Sequence, residues 1–311
     1  MSTSTSARPF IRAILIDLSG TLHIGDNPIP NAVNALLRLR RAGIPFRFCS
    51  NASKESRYAL KERLIKMGFT DGVEKEKEEI WTSITAVKRT LENQGIKRCV
   101  WSQVNSLIIH YVSLERPFLL LSPSAHEECC GAGDYSNEGP YDAVVVGLAP
   151  SLFTYDNLNT AFRILVGEHE TQRSTPFISQ SQQQIPLIAS HKAKYIRSGD
   201  GGLSLGPGPF VAALETASGR EAMVVGKPTR DFFEMVIGNF AQDELPSPPP
   251  PPRDDPGRIA IIGDDIEVDL GGGAVQLGLW RVLGTCTYAM LTLLFFFLTP
   301  DFFKYESSQN G

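Results

Sequence analysis

The stretch Ala13-Ile14-Leu15-Ile16-Asp17-Leu18-Ser19-Gly20-Thr21-Leu22 decides how the rest of the chain is read. Four consecutive apolar residues closed by the turn-forming Ser19-Gly20-Thr21 have the composition of a strand buried on both faces. Such strands build parallel sheets, in which ligands bind just beyond the strand carboxyl ends. Asp17 stands at that end. A carboxylate there can act as a nucleophile or hold a hard cation, and the turn beside it offers N–H groups to an anion. By itself it could equally cap the turn, so its meaning depends on what else the chain brings to the same place.

The device recurs along the chain. Residues 31–42 carry Val33, Leu36, Leu37 and Leu39 at helical spacing and stop at Gly43, and the run 44–49 then closes on Ser50-Asn51. A helix is expected from about residue 53 to Met67, and another after Ile80-Trp81-Thr82-Ser83. Helices are also expected over 210–217 and 230–240. Strand 222–225 runs into Gly226-Lys227-Pro228, and strand 258–262 into Gly263-Asp264-Asp265, with Asp269 shortly beyond. Alternating strands and helices predict an α/β fold with a doubly wound parallel sheet.

Within this pattern, residues 99–204 start again, with strands expected at 118–121, 143–146 and 186–189 and a helix at 155–166. The expected organisation is a core built from 1–80 and 205–284, an inserted α/β domain at 81–204, and an atypical apolar tail at 285–311. Polar segments 124–140 and 168–184 lack apolar periodicity and read as surface loops or insertions. The proline run 246–252 reads as an extended loop.

Composition narrows the function. The 311 residues are 42% hydrophobic, enough for one large or two ordinary cores. A net charge of -4 without a basic run argues against a nucleic-acid partner. Five cysteines with no C-x-x-C pair indicate neither a disulfide framework nor a zinc cage, and fit a reducing cytoplasmic setting. His126, Cys129 and Cys130 lack a fourth partner and read as part of a loop. The N-terminus has no apolar core of a secretory signal, so Asn51-Ala52-Ser53 is an accidental sequon. Gly226-Lys227 is followed by proline and lacks the upstream glycine of a nucleotide-binding P-loop. Residues 282–299 carry no charge. They read either as a membrane-anchoring tail or as an apolar end in place of a polar loop and last helix, and Gly284, Thr285, Thr287 and Thr292 favour the second reading.

Four expected strand ends therefore carry Asp17, Ser50, Lys227 and the Asp264/Asp265 pair. Carboxylates from two strands suit Mg²⁺, which takes a few carboxylates together with phosphate and water. Lys227 supplies a point charge for phosphate oxygens, and Ser50 and the turn amides can hydrogen-bond them. This is the inventory of phosphoryl transfer through an aspartyl-phosphate.

The segments D-L-S-G-T at Asp17, C-S-N at Ser50, V-V-G-K-P at Lys227 and I-G-D-D-I-E-V-D at Asp264 resemble the four motifs of haloacid dehalogenase-like hydrolases. The insertion falls between the second and third motifs, where the subfamily with a large α/β cap (C2-type) carries it. The resemblance spans about residues 10–282. It implies a Rossmann-like core with a cap and a Mg²⁺-dependent phosphatase acting on a small phosphorylated substrate or phospho-amino-acid. Asp17 would be nucleophile and metal ligand, with the Ser19 carbonyl and Asp264 as further ligands and Asp265 and Asp269 behind them. Ser19, Gly20, Ser50, Asn51 and Lys227 would bind the phosphoryl group. Large-capped members are often homodimers.

One position departs from the family pattern. Most of its phosphatases place Asp two residues after the nucleophile, as acid for the leaving group and base for water, and this chain has Ser19. Loss of a positioned acid/base removes a factor of about 10² to 10⁴. Substrates whose leaving groups need little protonation are therefore expected: pyrophosphate, phosphoramidates such as phosphohistidine or phospholysine, and aryl phosphates. The alternative is a weakly active or inactive homologue that binds Mg²⁺ and a phosphorylated ligand.

Overall fold

Strand β1 (Ile11–Asp17) is buried from Ala13 to Asp17 because it lies in the middle of a five-stranded sheet, where both faces are covered. The computed structural model describes residues 10–69, 79–94, 116–130, 140–173, 184–197, 202–243 and 257–284. After β1 come β2 (His23–Ile24), β3 (Asn27–Pro28), α1 (Ala32–Arg41), β4 (Phe46–Ser50), α2 (Arg57–Lys66), β5 (Ile80–Thr82) and α3 (Ser83–Asn93). Then follow β6 (Pro117–Leu120), α4 (Pro123–Cys130), β7 (Ala143–Val146), α5 (Tyr155–Leu165), α6 (Glu170–Arg173), β8 (Leu187–Ala189), β9 (Tyr195–Arg197) and β10 (Leu203–Leu205). The chain continues through α7 (Gly208–Ser218), β11 (Met223–Val224), α8 (Arg230–Asn239), β12 (Arg258–Gly263), α9 (Gly272–Gln276) and β13 (Trp280–Leu283).

The chain divides into two units, one of Met1–Ser50, Lys61–Trp81 and Lys227–Gly311, the other of Asn51–Leu60 and Thr82–Gly226. In the first unit the sheet order is β13-β12-β1-β4-β5, and β1 runs parallel to both its neighbours. Helix α1 turns Ala32, Ala35, Leu36 and Leu39 inward at the spacing of one helical face. Arg47 points into the interior from β4, where Nε donates to Asn239 Oδ1 at 2.7 Å and a second nitrogen meets Asp243 at 2.6 Å. A buried guanidinium persists only when its donors are met in this way.

The second unit has its own four-stranded parallel sheet in the order β11-β8-β7-β6. Val144, Val146 and Leu187 from the sheet pack with Ile164 and Leu165 of α5 and Val211 and Leu214 of α7. Each such fully buried side chain contributes about 1.5–3 kcal/mol relative to exposure. Strands β9 and β10 form a separate antiparallel hairpin.

Four expectations are corrected. Residues 205–226 lie in the second unit, because Met223 and Val224 pair with Ile188 and Ala189 rather than with the first sheet. The stretch read as a loop from 124 begins as helix α4, with Ser122 Oγ accepting from Ala125 N and proline at the first helical position. His126, Cys129 and Cys130 thus sit on a helix, and burial pushes the Cys129 thiol up. Helix α2 starts at Arg57 instead of near residue 53, with the Ser56 hydroxyl accepting from Ala59 N. The segment read as a loop from 168 contains the short α6.

Residues 131–139, 174–183, the proline run and the tail from 285 fall outside the described residues. The uncharged run from 282 begins inside β13, where Val282 pairs with Ile262. Among the described residues, no helix is long and apolar enough to cross a membrane.

Candidate active site

The register of the first sheet places the site. Asp17 pairs with Cys49 of β4, and Ile16 with Ile262 of β12. Ser50 therefore stands one residue further along one neighbour, and Gly263-Asp264 just beyond the other. After Asp17 the chain turns through Gly20, whose φ of 94° is a left-handed conformation, with Gly20 N donating to His23 O at 2.8 Å. A Cβ on Gly20 would lie 2.1 Å from Asp264 Oδ2, so this turn takes glycine on both counts. The carboxylate of Asp264 packs directly over the backbone of the loop that follows Asp17.

Lys227 opens the return of the chain to the first unit, three residues after the short strand β11. Its ammonium is 2% exposed and gives all three donors: to Asp17 Oδ1 at 2.6 Å, to Asp269 Oδ1 at 2.6 Å and to Cys49 O at 3.0 Å. Burial alone would lower its pKa, but the charges of Asp17 and Asp269 hold it well above the usual lysine range. Asp17 is pushed up to about 7, first by burial and then by the nearby negative charges of Asp269 and Asp264, against the pull of Lys227. Asp264, at the rim, is raised by partial burial and then by Asp269. Burial likewise pushes the Cys49 thiol up to about 12, which leaves it a thiol rather than a nucleophile.

Three carboxylates around one ammonium leave an excess of negative charge in a poorly solvated place. Asp17, Asp264 and Asp269 each offer a ligand atom, and these lie within 4.8 Å of one another. Asp17 Oδ2 is buried and has no hydrogen-bond partner. Asp269 is engaged on both oxygens, Oδ1 by Lys227 and Oδ2 by Asp265 N at 3.1 Å. The donor set left for a hard cation is thus Asp17 Oδ2 with Asp264, an all-oxygen pair. An unpaired buried carboxylate oxygen costs stability unless a cation or proton meets it, so these residues fit a divalent cation.

The structure brings together Asp17, Lys227, Asp264 and Asp269. Ser19 is exposed two residues past Asp17, and Ser50 is a buried strand end. Asp265 spends Oδ1 on the N–H groups of Glu267 and Val268, a local turn cap. Asn51 is the first residue of the second unit, where a Cβ on Gly226 would approach its Oδ1 to 2.7 Å. The sequence placed Asp269 only behind the ligands and did not show it in direct contact with Lys227. The signal was its spacing, since a residue five beyond Asp264 can turn back on the strand end through the Asp265 cap. The strand expected to carry Lys227 in the first sheet belongs to the second.

A family model described as haloacid dehalogenase-like hydrolase matches residues 14–112. Haloacid dehalogenase-like hydrolase domain-containing protein 2 of Rattus norvegicus is 37% identical over 281 residues, covering 89% of this chain and 85% of that protein. Phospholysine phosphohistidine inorganic pyrophosphate phosphatase of Homo sapiens is 29% identical, covering 84% and 78%. Among solved structures, a 4-nitrophenylphosphatase from Thermotoga maritima superposes with a TM-score of 0.64 at 21% identity, over 88% of this chain and 85% of that one. At that identity the likeness is one of fold.

Proposed function

The chain belongs to the haloacid dehalogenase-like hydrolases and is a phosphohydrolase, and from that premise we propose that it acts through an aspartyl-phosphate on Asp17 with Mg²⁺ at the site. The observation that carries this reading is the state of Asp17, whose Oδ1 is tied to Lys227 while its buried Oδ2 has no partner. The Asp17 carboxylate is the group that attacks phosphorus. Lys227, fixed by three acceptors, holds the carboxylate in one orientation and presents positive charge where the phosphoryl oxygens arrive.

As the Asp17–phosphorus bond forms, the bond to the leaving group breaks and its electron pair departs with that group. Water then adds to the phosphorus of the acyl phosphate, releasing inorganic phosphate and restoring the carboxylate. Mg²⁺, held by Asp17, Asp264 and the Ser19 carbonyl, supplies charge neutralisation of the phosphoryl oxygens when bound. Asp269 stands behind these ligands as an anchor of Lys227, and Ser50 and the Ser19 amide are the hydrogen-bonding partners of the phosphoryl group, the Gly20 amide being spent on His23 O. The sequence resemblance adds Asn51 to this set.

The hydroxyl of Ser19 is too weak an acid to protonate a departing alkoxide, and Ser19 itself is exposed to solvent. The substrate class is therefore a small phosphorylated molecule with a leaving group that departs unaided. Pyrophosphate, phosphoramidates and aryl phosphates qualify, and the name of one relative points to the first two. With Mg²⁺, turnover of an aryl phosphate should exceed that of an alkyl phosphate by about 10² or more. Asp17→Asn should lower phosphate release at least ~10³-fold, and a chelator should stop it. Equal aryl and alkyl rates would reject the substrate class, and activity surviving in Asp17→Asn would reject the covalent route. The absent acid also favours a second reading, a Mg²⁺-binding homologue with negligible turnover, which wild-type rates at the level of Asp17→Asn would establish.

A further inference from the structure

The loop that follows Asp17, which lies wholly in the first unit, is turned on itself by three backbone hydrogen bonds, and two of them end on His23. Leu18 O accepts from Leu22 N at 2.8 Å and from His23 N at 3.1 Å, and Gly20 N donates to His23 O at 2.8 Å. A bridge between Ser19 and His23 marks the same closure. A peptide group is planar and trans, so its C=O and its N–H point in opposite directions. The Leu18 carbonyl is drawn into the turn, and the N–H of the same peptide, that of Ser19, is thereby sent outward. The Gly20 N–H is likewise drawn inward to His23 O, and the Ser19 carbonyl of that peptide is sent outward. Both polar backbone groups of Ser19 thus take their direction from bonds in which the main chain of His23 takes part.

What holds His23 is its ring. The turn is not secured at Thr21, whose buried Oγ1 has no hydrogen-bond partner among the described residues, and Ser19 is exposed. His23 is buried, and its Nδ1 lies 2.8 Å from Gly25 O. A carbonyl can only accept, so Nδ1 carries a hydrogen and donates it. The bond reaches the head of the hairpin formed by β2 and β3, in which His23 pairs with Pro28 and Ile24 with Asn27. Two residue pairs are too few for a hairpin to stand alone, and the ring supplies a restraint that the strands lack. Arg63 Nη1 also donates to Gly25 O, at 3.2 Å, but in an exposed place where water competes for the contact.

We infer that His23 is a positioning residue for the Ser19 backbone, its imidazole anchored on Gly25 O so that the Ser19 carbonyl and amide keep one direction. The inference rests on the roles given above to these two groups, the carbonyl as a ligand of Mg²⁺ and the amide as a partner of the phosphoryl group. It adds that the metal affinity of the site depends on a side chain that acts only through the loop. A carbonyl already held in place binds without first being ordered, and freedom returned to this turn must be lost again when the cation arrives. The effect therefore falls on affinity, and an excess of cation overcomes it.

The test uses the full chain and reads Mg²⁺ binding by titration calorimetry alongside turnover of an aryl phosphate. His23→Phe keeps a ring of similar size and removes the donor. It should raise the Mg²⁺ dissociation constant about tenfold, while kcat at saturating Mg²⁺ stays within about threefold of wild type. His23→Asn places an amide N–H where Nδ1 stood and should recover the affinity to within about threefold. Arg63→Ala, which removes the exposed second donor to Gly25 O, should leave the constant within about twofold. Wild-type Mg²⁺ affinity in folded His23→Phe, or in His23→Leu where that variant does not fold, overturns the inference. So does an equal loss in His23→Phe and His23→Asn, or a tenfold loss in Arg63→Ala. Wild-type protein that binds no Mg²⁺ overturns both this inference and the metal site it rests on. Failure of the phosphatase reading shows separately, as wild-type protein that binds Mg²⁺ but is no more active than Asp17→Asn.

Discussion

Both units end a parallel sheet in a cluster of polar side chains, but the two clusters are built of different material. In the first unit Asp17, at the end of β1, meets Lys227 and Asp269, all three buried and ionisable, joined by two 2.6 Å ion pairs that leave Asp17 Oδ2 without a partner. In the second, Leu148 N and His191, which follow strands β7 and β8, meet Ser53, with Ser190 next to His191 in the chain. Ala193 N donates to His191 Nδ1 at 3.3 Å, so Nε2 carries the ring hydrogen and donates it to Ser53 Oγ. That cluster needs no counter-ion and is closed except for the Ser190 hydroxyl, which has no partner. The carboxyl end of a parallel sheet is thus a place where function can be built, and charge left uncompensated there separates a reactive site from a brace.

The contrast is broken hardest at Lys227. Lys227→Met keeps the length of the side chain and removes the ammonium, leaving Asp17 and Asp269 buried beside each other. Removing one partner of a buried charge pair costs about 3–5 kcal/mol. Urea unfolding in the presence of a chelator should show a loss of that size, and a loss under ~1 kcal/mol would mean that the lysine does not hold the carboxylates. The pH range follows from the sign of the shift. Lys227 is held above its ordinary value, so its contribution is complete throughout the neutral range and disappears only at strongly alkaline pH. Added Mg²⁺ should restore part of the loss by meeting the same carboxylates.

The charged cluster was legible in the sequence because its members are short polar residues at the ends of apolar runs, and strand ends are the best-marked points of an α/β chain. Asp17, Ser50 and Asp264 could be placed from the runs 13–16, 44–49 and 258–262 alone. Lys227 was found by its motif, yet its strand was given to the wrong sheet, since Met223 and Val224 are too few residues for periodicity to reveal which partner they choose. The neutral cluster was not legible at all. Ser53, Leu148 and His191 are far apart in the sequence, and their hydrogen bonds exist only once the second sheet has formed. Helix α4 was missed because a dominant polar composition hid a short helix, although Ser122-Pro123 is a start signal that the chain did carry.

A smaller effect sharpens the comparison from the neutral side. Ser53→Ala deletes the oxygen that meets both Leu148 N and His191 Nε2, leaving two donors in a buried place without that acceptor. The expected loss is about 1–3 kcal/mol, the cost of burying unsatisfied groups rather than of breaking a charge pair. It should be independent of Mg²⁺ and of chelator, unlike the loss at Lys227. A Mg²⁺-dependent loss at Ser53 would mean that the two clusters do not differ in the way described.

The smallest change should be of opposite sign. Ser190 is fully buried and its hydroxyl has no hydrogen-bond partner. A hydroxyl taken from water without a replacement bond is a net cost to folding. Ser190→Ala removes that group at the price of one small void, so the two terms oppose each other and each is near 1 kcal/mol. Stability should therefore stay within about 0.5 kcal/mol of wild type or rise slightly, read from the same urea transitions. Asp17 Oδ2 is equally without a partner, yet in the proposed reaction Asp17→Asn abolishes turnover. Two orphaned oxygens at corresponding ends of two sheets thus separate on one criterion, because only the charged one can bind a cation or attack phosphorus. A loss of 2 kcal/mol or more in Ser190→Ala would show that its hydroxyl is not idle and would remove that distinction.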